Sequence, residues 1–180
     1  MKKEFYQEIE IPEGVEANID GRVLSVKGPE GENKREFNIR KFEFKKKDNK
    51  ILIGSKKATK MQKKMINTIT SHVKNMIKGV QEKFEYKLKI AFSHFPMTVN
   101  IEGNKAVIKN FLGEKIPRQI NILDGAEASV DNDIVTVKSV DKEIAGQTAA
   151  NFETGTKIRA KDQRIFQDGI YIIEKAGEEI

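Results

Sequence analysis

Asn18-Ile19-Asp20-Gly21 returns later in the chain as Asn100-Ile101-Glu102-Gly103. The two copies are about 82 residues apart, which is too long for a solenoid unit and suits a small domain. The sequence therefore predicts one fold that occurs twice, and the residues after Ile158 have no counterpart in the first half. Further matches are Val26-Lys27 with Ile108-Lys109, Gly31-Glu32 with Gly113-Glu114, and Asp48-Asn49-Lys50-Ile51 with Asp131-Asn132-Asp133-Ile134.

The composition favours two small folded units and a polyanionic partner. A chain of 180 residues divided in two gives units of about 80 residues, each near the lower limit of independent stability. The formal net charge of +6 favours nucleic acid. It is equally compatible with a lysine-rich surface that serves solubility or stability at high temperature.

Several kinds of site are excluded by what the sequence lacks. The absence of cysteine excludes disulfides and thiolate zinc sites, and two histidines, His72 and His94, leave little material for a transition-metal site. Met1-Lys2-Lys3-Glu4-Phe5 is not followed by the apolar stretch of a signal peptide, and Ile170-Tyr171-Ile172-Ile173 is too short to span a membrane. These features predict a soluble cytoplasmic protein without a cofactor.

The first half contains strand signals followed by one amphipathic helix. From about Lys56 the apolar period changes from two residues to three or four, which predicts a helix that ends near Gly79. Its apolar stripe comprises Met61, Met65, Ile66, Ile69, Val73, Met76 and Ile77. The predicted strands are Val23 to Lys27, Phe37 to Phe44 and Ile51 to Ile53, with turns at Asp20-Gly21, Gly28-Pro29-Glu30-Gly31 and Asp48-Asn49.

The second half repeats this order with a shorter helix. Asp141 is the predicted N-cap of a helix that ends near Gly155, and a final strand, Gly169 to Glu174, follows a polar loop. The pattern predicts an α+β fold of two tandem repeats, each with antiparallel β-sheets packed with one α-helix, in domains 1–82 and 83–180. The other strand signals lie at Tyr86 to Ala91, Thr98 to Ile101, Lys105 to Lys109, Gln119 to Leu123, Glu127 to Val130 and Ile134 to Val137.

No catalytic signature is present in the sequence. It contains no phosphate loop, dinucleotide fingerprint or elbow serine, and neither histidine has the spacing of a triad or a metal site. The sequence therefore predicts a protein that is not an enzyme. The lysines of the first helix form either a phosphate-tracking face or an ordinary solvated face. They are Lys56, Lys57, Lys60, Lys63, Lys64, Lys74 and Lys78.

The segment 157–171 differs from the rest because four cations fall within eight residues, interleaved with aromatic and amide side chains. In one interpretation it binds RNA: arginines contact phosphates or guanine edges, rings stack on unpaired bases, and Asp162 and Asp168 orient the arginines. In the other it is a paired surface hairpin that Phe166 and Tyr171 fix to the core. The residue types alone leave both interpretations open.

Four stretches, in this order, resemble one known family over nearly the whole chain. They are Asn75-Met76-Ile77-Lys78-Gly79-Val80 leading to Phe84-Glu85-Tyr86-Lys87, Ala91-Phe92-Ser93-His94-Phe95-Pro96, Asn110-Phe111-Leu112-Gly113-Glu114-Lys115, and Arg164-Ile165-Phe166-Gln167-Asp168-Gly169-Ile170-Tyr171. With them the sequence is similar to the archaeal and eukaryotic branch of the large-subunit ribosomal protein family called L-six, or L-nine in eukaryotic naming.

The resemblance implies a non-catalytic protein on large-subunit rRNA near the sarcin-ricin loop and the stalk base, beside neighbouring ribosomal proteins. It also implies that the second domain and its C-terminal extension make most RNA contacts. By motif, the expected RNA-binding residues are Ser93, His94, Lys142, Gln147, Asn151, Lys157, Arg159, Lys161, Arg164 and Lys175. Gln147 and Asn151 lie one helical turn apart, although Ala149 and Ala150 are equally compatible with tight helix packing.

Two further expectations complete the interpretation. The acidic end, Glu178-Glu179, is repelled by RNA and is expected to lie off the interface or to be disordered. The alternative function, from another class, is a tandem protein-interaction module whose strand edges or basic helix recruit an acidic partner. Neither function involves a membrane or a small-molecule substrate.

Overall fold

Each half of the chain builds antiparallel sheets and one long helix. The backbone divides into two units, Met1–Lys83 and Phe84–Ile180. This computed structural model describes residues 3–38, 42–47 and 49–180. Every strand pairing in those ranges is antiparallel, and the predicted α+β class is confirmed. The assignment of residues 1–82 and 83–180 as separate folding domains stays a prediction.

The first unit packs the helix α1 (Lys60–Gln81) against strands of two sheets. The strands of these sheets are β1 (Lys3–Glu10), β2 (Glu16–Asp20), β3 (Val23–Gly28), β4 (Gly31–Glu36), β5 (Glu43–Lys47) and β6 (Lys50–Ala58). Their orders are β1-β6-β5 and β2-β3-β4. Residues 39–41 of one predicted strand and Asp48 of a predicted turn lie outside the described residues.

The helix α1 begins about one turn later than the apolar period predicts. Lys56 and Lys57 belong to β6, because the pairing of β6 with β1 continues to Ala58. Thr59 then caps the helix: its hydroxyl accepts a hydrogen bond from the backbone N–H of Gln62, and the Gln62 side chain accepts one from the Thr59 N–H. The predicted start near Lys56 is therefore wrong.

The predicted end of α1 near Gly79 is within two residues of the observed end, but Gly79 is not the cap. Gly79 lies buried inside the helix, which continues to Gln81. The helix continues past Gly79 because the side chain of Val80 is fully buried. In addition, the Val80 carbonyl accepts a hydrogen bond from the Glu30 N–H in the turn between β3 and β4. A Cβ atom on Gly28 would lie 2.6 Å from that carbonyl oxygen, so the turn packs closely against the helix end.

The first turns of α1 do not contribute to the core. Met61 is 71% exposed and Met65 is 41% exposed, although the apolar stripe predicts that both are buried. The buried face instead runs from Ile66 to Val80. The predicted stripe is therefore correct from Ile66 onward and wrong before it.

The second unit repeats this arrangement and adds strands at its end. Its helix is α2 (Lys142–Gly155), capped by Asp141, which accepts a hydrogen bond from the Glu143 N–H. The strands are β7 (Phe84–Ala91), β8 (Thr98–Glu102), β9 (Lys105–Lys109), β10 (Arg118–Asn121), β11 (Ala126–Asp131), β12 (Ile134–Ser139), β13 (Gly169–Lys175) and β14 (Glu178–Glu179). They form two sheets, with the orders β10-β9-β8 and β11-β12-β7-β13-β14.

The strand β13 is the main addition to the repeated fold. The order β11-β12-β7 corresponds to β5-β6-β1 in the first unit, and β13 pairs with the other side of β7. Glu178 and Glu179 form β14 and pair with the end of β13, so the alternative that the acidic end is disordered is wrong. The position of β13 fixes where the connection from α2, residues 156–168, must end.

One core holds α2 and β13 together. Phe152 of α2 and Ile170 of β13 are fully buried in the same hydrophobic cluster as Leu88, Ile108 and Val135. Complete burial of a large apolar side chain stabilises the fold by about 2–3 kcal/mol. Both ends of the connecting segment are therefore held firmly by packing.

Candidate nucleic-acid interface

A buried carboxylate, Asp168, holds the turn that follows β7. Asp168 is 1% exposed. Its Oδ1 accepts hydrogen bonds from the backbone N–H of Ser93 at 2.8 Å and of His94 at 3.1 Å. Its Oδ2 accepts one from the Ser93 hydroxyl at 3.3 Å and lies 2.7 Å from Nδ1 of His94. The carboxylate thus fixes Ser93 and His94 relative to residues 157–171, which we call the C-terminal segment.

The strand register explains why these residues meet. Gly169 of β13 is paired with Ala91 of β7. Because the strands are antiparallel, the residue before β13 and the residues after β7 lie at the same end of the sheet. The sequence interpretation that Asp168 orients arginines is therefore wrong, since its carboxylate is directed into the protein toward Ser93 and His94.

Hydrogen bonding determines the charge of Asp168. Burial by itself raises the pKa of this carboxyl group, but the hydrogen bonds from Ser93 and His94 outweigh it and lower the pKa to about 2. Asp168 is therefore ionised near neutral pH, and it forms an ion pair with His94 whenever that imidazole is protonated.

His94 also stacks on Phe166 of the C-terminal segment. The ring centroids are 4.7 Å apart and the ring planes differ by 21°. The ammonium of Lys161 lies 4.5 Å from the Phe166 centroid, within cation–π range. Phe166 packs against the core, whereas Tyr171 is 44% exposed. Of the two rings proposed to fix a hairpin to the core, only Phe166 has that position.

The cations of the C-terminal segment are exposed. The Arg164 side chain is 90% exposed and pairs with Asp162 through Nε to Oδ1 at 3.2 Å and Nη2 to Oδ2 at 2.9 Å. These side-chain hydrogen bonds, followed by one from the Arg164 backbone N–H, lower the pKa of Asp162. Asp162 therefore orients the guanidinium of Arg164. The other exposed cations are Lys157, Arg159 and Lys161.

Six of the expected RNA-binding residues lie on two segments that meet at the Ala91 and Gly169 end of the sheet. We call this set the loop cluster; it consists of Ser93, His94, Lys157, Arg159, Lys161 and Arg164. The loop cluster combines a rigidly held turn with exposed cations.

The two expected amides lie on the outer side of α2. Nε2 of Gln147 donates to Oδ1 of Asn151 at 3.1 Å, and Nδ2 of Asn151 donates to the Asn121 carbonyl at 3.1 Å. Ala149 is fully buried and Ala150 is half-buried. Small residues therefore serve helix packing while the neighbouring amides are directed outward.

Lys142 and Lys175 lie at the opposite end of the unit. Lys142 begins α2, and its ammonium is 5.8 Å from the ring centroid of Phe84, the first residue of β7. Lys175 ends β13 opposite Tyr86, about 20 Å along the strand from Gly169. The structure does not bring these two lysines together with the loop cluster.

Sequence reasoning missed Arg118, which connects a neighbouring loop to α2. Its Nη1 donates to the Gly155 carbonyl at 2.9 Å, its Nε donates to Oε2 of Glu114 at 2.8 Å, and its Cζ lies 4.1 Å from the Phe111 centroid. Hydrogen bonding to Arg118 lowers the pKa of Glu114, burial opposes this, and the charge of Lys161 adds to the lowering. The sequence did contain a signal for this loop, because residues 110–115 form one of the four stretches that resemble the known family.

A metal site and a membrane-spanning helix are both absent from the described ranges. Within residues 3–38, 42–47 and 49–180, no group of histidine, aspartate and glutamate side chains is arranged to hold a metal ion. In the part of the chain that the structure describes, no helix combines the length and the hydrophobicity that a membrane span requires.

Comparisons with known proteins identify the relatives of this chain. The model of the family described as Ribosomal protein L6 matches it twice, at residues 11–83 and 95–169. The protein named large ribosomal subunit protein uL6 of Methanothrix thermoacetophila is 45% identical over 97% of this chain and 99% of its own length. The proteins of that name from Methanococcus vannielii and Methanobrevibacter smithii are each 46% identical, over 96% and 94% of this chain and 94% and 95% of their own lengths.

The depressed pKa of Asp168 predicts acid sensitivity of the second unit. Since the folded-state pKa is about 2 and the ordinary value is 3.8, the stabilisation is present above about pH 4 and is lost as the pH falls toward 2. The shift corresponds to about 2 kcal/mol of unfolding free energy. We expect Asp168→Asn to remove the loss of unfolding free energy between about pH 4 and pH 2. At pH 7 the substitution should destabilise the protein by about 1–3 kcal/mol.

Urea unfolding followed by circular dichroism between pH 2 and pH 7 measures this effect. Glu102→Gln, which changes an exposed carboxylate at the end of β8, is the control and should retain the wild-type profile. An Asp168→Asn variant with unchanged stability and unchanged acid sensitivity would contradict the role assigned to the carboxylate.

Proposed function

Because this chain belongs to the ribosomal protein L6 family, we propose that its loop cluster contacts large-subunit rRNA near the sarcin-ricin loop and the stalk base. As a member of that family the chain is a structural protein of the large ribosomal subunit and not an enzyme. The proposal concerns where on the RNA it binds, through which residues, and beside which ribosomal proteins.

The observation that carries the proposal is the combination of a fixed turn with exposed cations. Asp168 is buried and its hydrogen bonds with Ser93 and His94 fix the exposed turn, so this turn meets a phosphate without first losing conformational freedom. Lys161 and Arg164 supply positive charge beside it. Lysine and arginine side chains next to a fixed turn are suited to contact the RNA backbone.

Arg164 illustrates the division of roles within the loop cluster. Asp162 binds Nε and Nη2 of its guanidinium, which orients the planar group while its side chain remains 90% exposed. An oriented guanidinium contacts a phosphate or a guanine edge with two parallel hydrogen bonds, which a flexible lysine does not do. Arg164 is therefore the residue of the loop cluster with the largest expected contribution to a defined fit.

The remaining expected residues extend the proposed interface. Gln147 and Asn151 present amides along α2, and Lys142 and Lys175 add charge at the far end of the unit. Since the two lysines are separated from the loop cluster, we propose that they contact a different stretch of RNA backbone.

One observation favours the second candidate function, recruitment of an acidic protein partner by the first unit. Met61 and Met65 are exposed on α1 beside Lys60 and Lys64, and the first turn of this helix carries no acidic residue. An apolar pair surrounded by lysines fits an acidic partner with apolar side chains. In this arrangement the first unit contacts a neighbouring protein while the second contacts RNA.

The location on the RNA can be tested with a tethered cleavage reagent. The chain has no cysteine, so Ile165→Cys, at a side chain that is 64% exposed beside Arg164, gives one attachment point for an iron chelate. Hydroxyl radicals generated there should cleave the rRNA of assembled large subunits within and around the sarcin-ricin loop. Met61→Cys in the first unit is the matched control and should give a different pattern. Cleavage confined to remote RNA would contradict the proposed location.

Loss of Arg164 should weaken RNA binding without unfolding the protein. We expect Arg164→Ala to reduce the affinity by about 1–3 kcal/mol. For about five phosphate contacts the slope of log affinity against log salt should be about −3 to −5, and the variant should reduce its magnitude by about 1. Filter binding to large-subunit rRNA at several salt concentrations measures both quantities.

The control is Arg22→Ala, which removes the same charge from an exposed turn of the first unit and should leave affinity and slope unchanged. A salt slope near zero for the wild-type chain would overturn the RNA contacts. Thermal unfolding of Arg164→Ala at a much lower temperature, with normal binding by the folded fraction, would instead make Arg164 a structural residue of the loop.

The two halves of the chain should differ in RNA affinity. A fragment of residues 83–180 contains a complete core and the loop cluster, so it should fold and retain most of the affinity; residues 1–82 should fold marginally and bind weakly despite their lysines. The test is to measure the affinity of each fragment for the same RNA at about 0.15 M salt. Comparable affinity of the two halves would overturn the assignment of the interface to the second unit.

A further inference from the structure

A groove of about 700 Å³ lies between the end of α2, the end of β7 and the C-terminal segment. Its volume is within the range of sites for small organic groups. The polar residues that line it are Glu153, Thr154, Thr156, Lys157, Gln163 and Gln167, and the rings are those of Phe166 and Tyr171. It lies beside the loop cluster and shares Lys157 with it.

The Tyr171 ring is placed for stacking by a glycine. Gly169 and Tyr171 are alternate residues of β13 and face the same side of the sheet. A Cβ atom on Gly169 would lie 3.0–3.1 Å from Cζ, Cε2 and the hydroxyl oxygen of Tyr171, so the hydroxyl end of that side chain packs against the glycine. The side chain nevertheless remains 44% exposed and lines the groove. The backbone therefore supports the ring while part of its surface stays accessible.

The other ring in the groove is already engaged within the protein. Phe166 stacks with His94 at 4.7 Å and has the Lys161 ammonium 4.5 Å from its centroid. Gln167 is also engaged, because its Nε2 donates to the Arg164 carbonyl. Tyr171 is therefore the ring of this groove that is suited to stack on a ligand, and Gln163 and Lys157 are exposed beside it.

We propose that the groove binds one unpaired nucleobase of the rRNA, stacked on Tyr171; this rests on the RNA contacts proposed above. Stacking on an aromatic ring accepts any base. The Gln163 amide and the Glu153 carboxylate supply a donor and acceptors for a base edge, and the Lys157 ammonium contacts the adjoining phosphate. A base within a duplex cannot enter, because its edge is paired and its faces are stacked.

A tryptophan reporter tests the stacking directly. The chain contains no tryptophan, so Tyr171→Trp gives a single emitter in the groove of the full chain. Stacking on a base quenches indole fluorescence, and we expect quenching when archaeal large-subunit rRNA is added. A fully paired RNA duplex should bind through its phosphates without quenching. Met61→Trp, exposed on α1, is the matched control emitter and should not be quenched by either RNA.

Affinity measurements on two further substitutions separate stacking from general packing. Tyr171→Phe keeps the ring and should bind the rRNA with wild-type affinity. Tyr171→Leu keeps an apolar side chain that suits an exposed strand position but removes the ring, and should weaken binding by about 5- to 150-fold. Gly169→Ala, at a backbone position outside the left-handed region, should displace the ring and weaken binding in the same direction.

The outcomes distinguish failure of the groove from failure of the proposed function. Quenching by the rRNA but not by the paired duplex, together with weaker binding by Tyr171→Leu, supports the nucleobase site. Salt-dependent rRNA binding without quenching, and with Tyr171→Leu at wild-type affinity, overturns the site and leaves the RNA contacts of the loop cluster intact. No rRNA binding by the wild-type chain overturns the proposed RNA contacts and the groove site together.

Discussion

The pairing of β13 with β7 is the interaction on which the rest of the second unit's surface depends. Without it, the connection from α2 would have no fixed end, and neither Asp168 nor Phe166 would reach the turn after β7. Thr156 also connects the end of α2 to β13. Its buried hydroxyl donates a hydrogen bond to the Phe152 carbonyl and accepts one from the Ile170 N–H. One added strand thus converts a repeated fold into a scaffold for a specific surface.

Charge is distributed across this scaffold in two layers. The ionised carboxylate of Asp168 lies inside, where hydrogen bonds from Ser93 and His94 satisfy it. The cations of Lys161 and Arg164 lie outside, beside a ring and a carboxylate that restrict their positions. A buried charge with all its hydrogen bonds made is rigid, so Asp168 fixes the shape of the surface. An exposed charge is accessible, so Lys161 and Arg164 attract anionic groups.

The internal repeat, the alternating strands and the cap at Asp141 could be predicted from the sequence because they depend on local periodicity and local hydrogen bonding. The boundaries of α1 could not, because strand pairing held Lys56 in β6 and a distant turn supported Val80. The role of Asp168 was missed for a similar reason, since its partners are far away in sequence. Sequence motifs identified the residues of the loop cluster. The same motifs grouped Lys142 and Lys175 with them, because a sequence gives no distances between residues.

The hydrogen bond from Ser93 to Asp168 joins residues that are 75 positions apart. Such a contact closes a long loop, which costs conformational entropy that a short turn does not. During translation the turn at Ser93 is synthesised 75 residues before the carboxylate that holds it. A nascent chain therefore lacks this rigid turn until Asp168 has been synthesised.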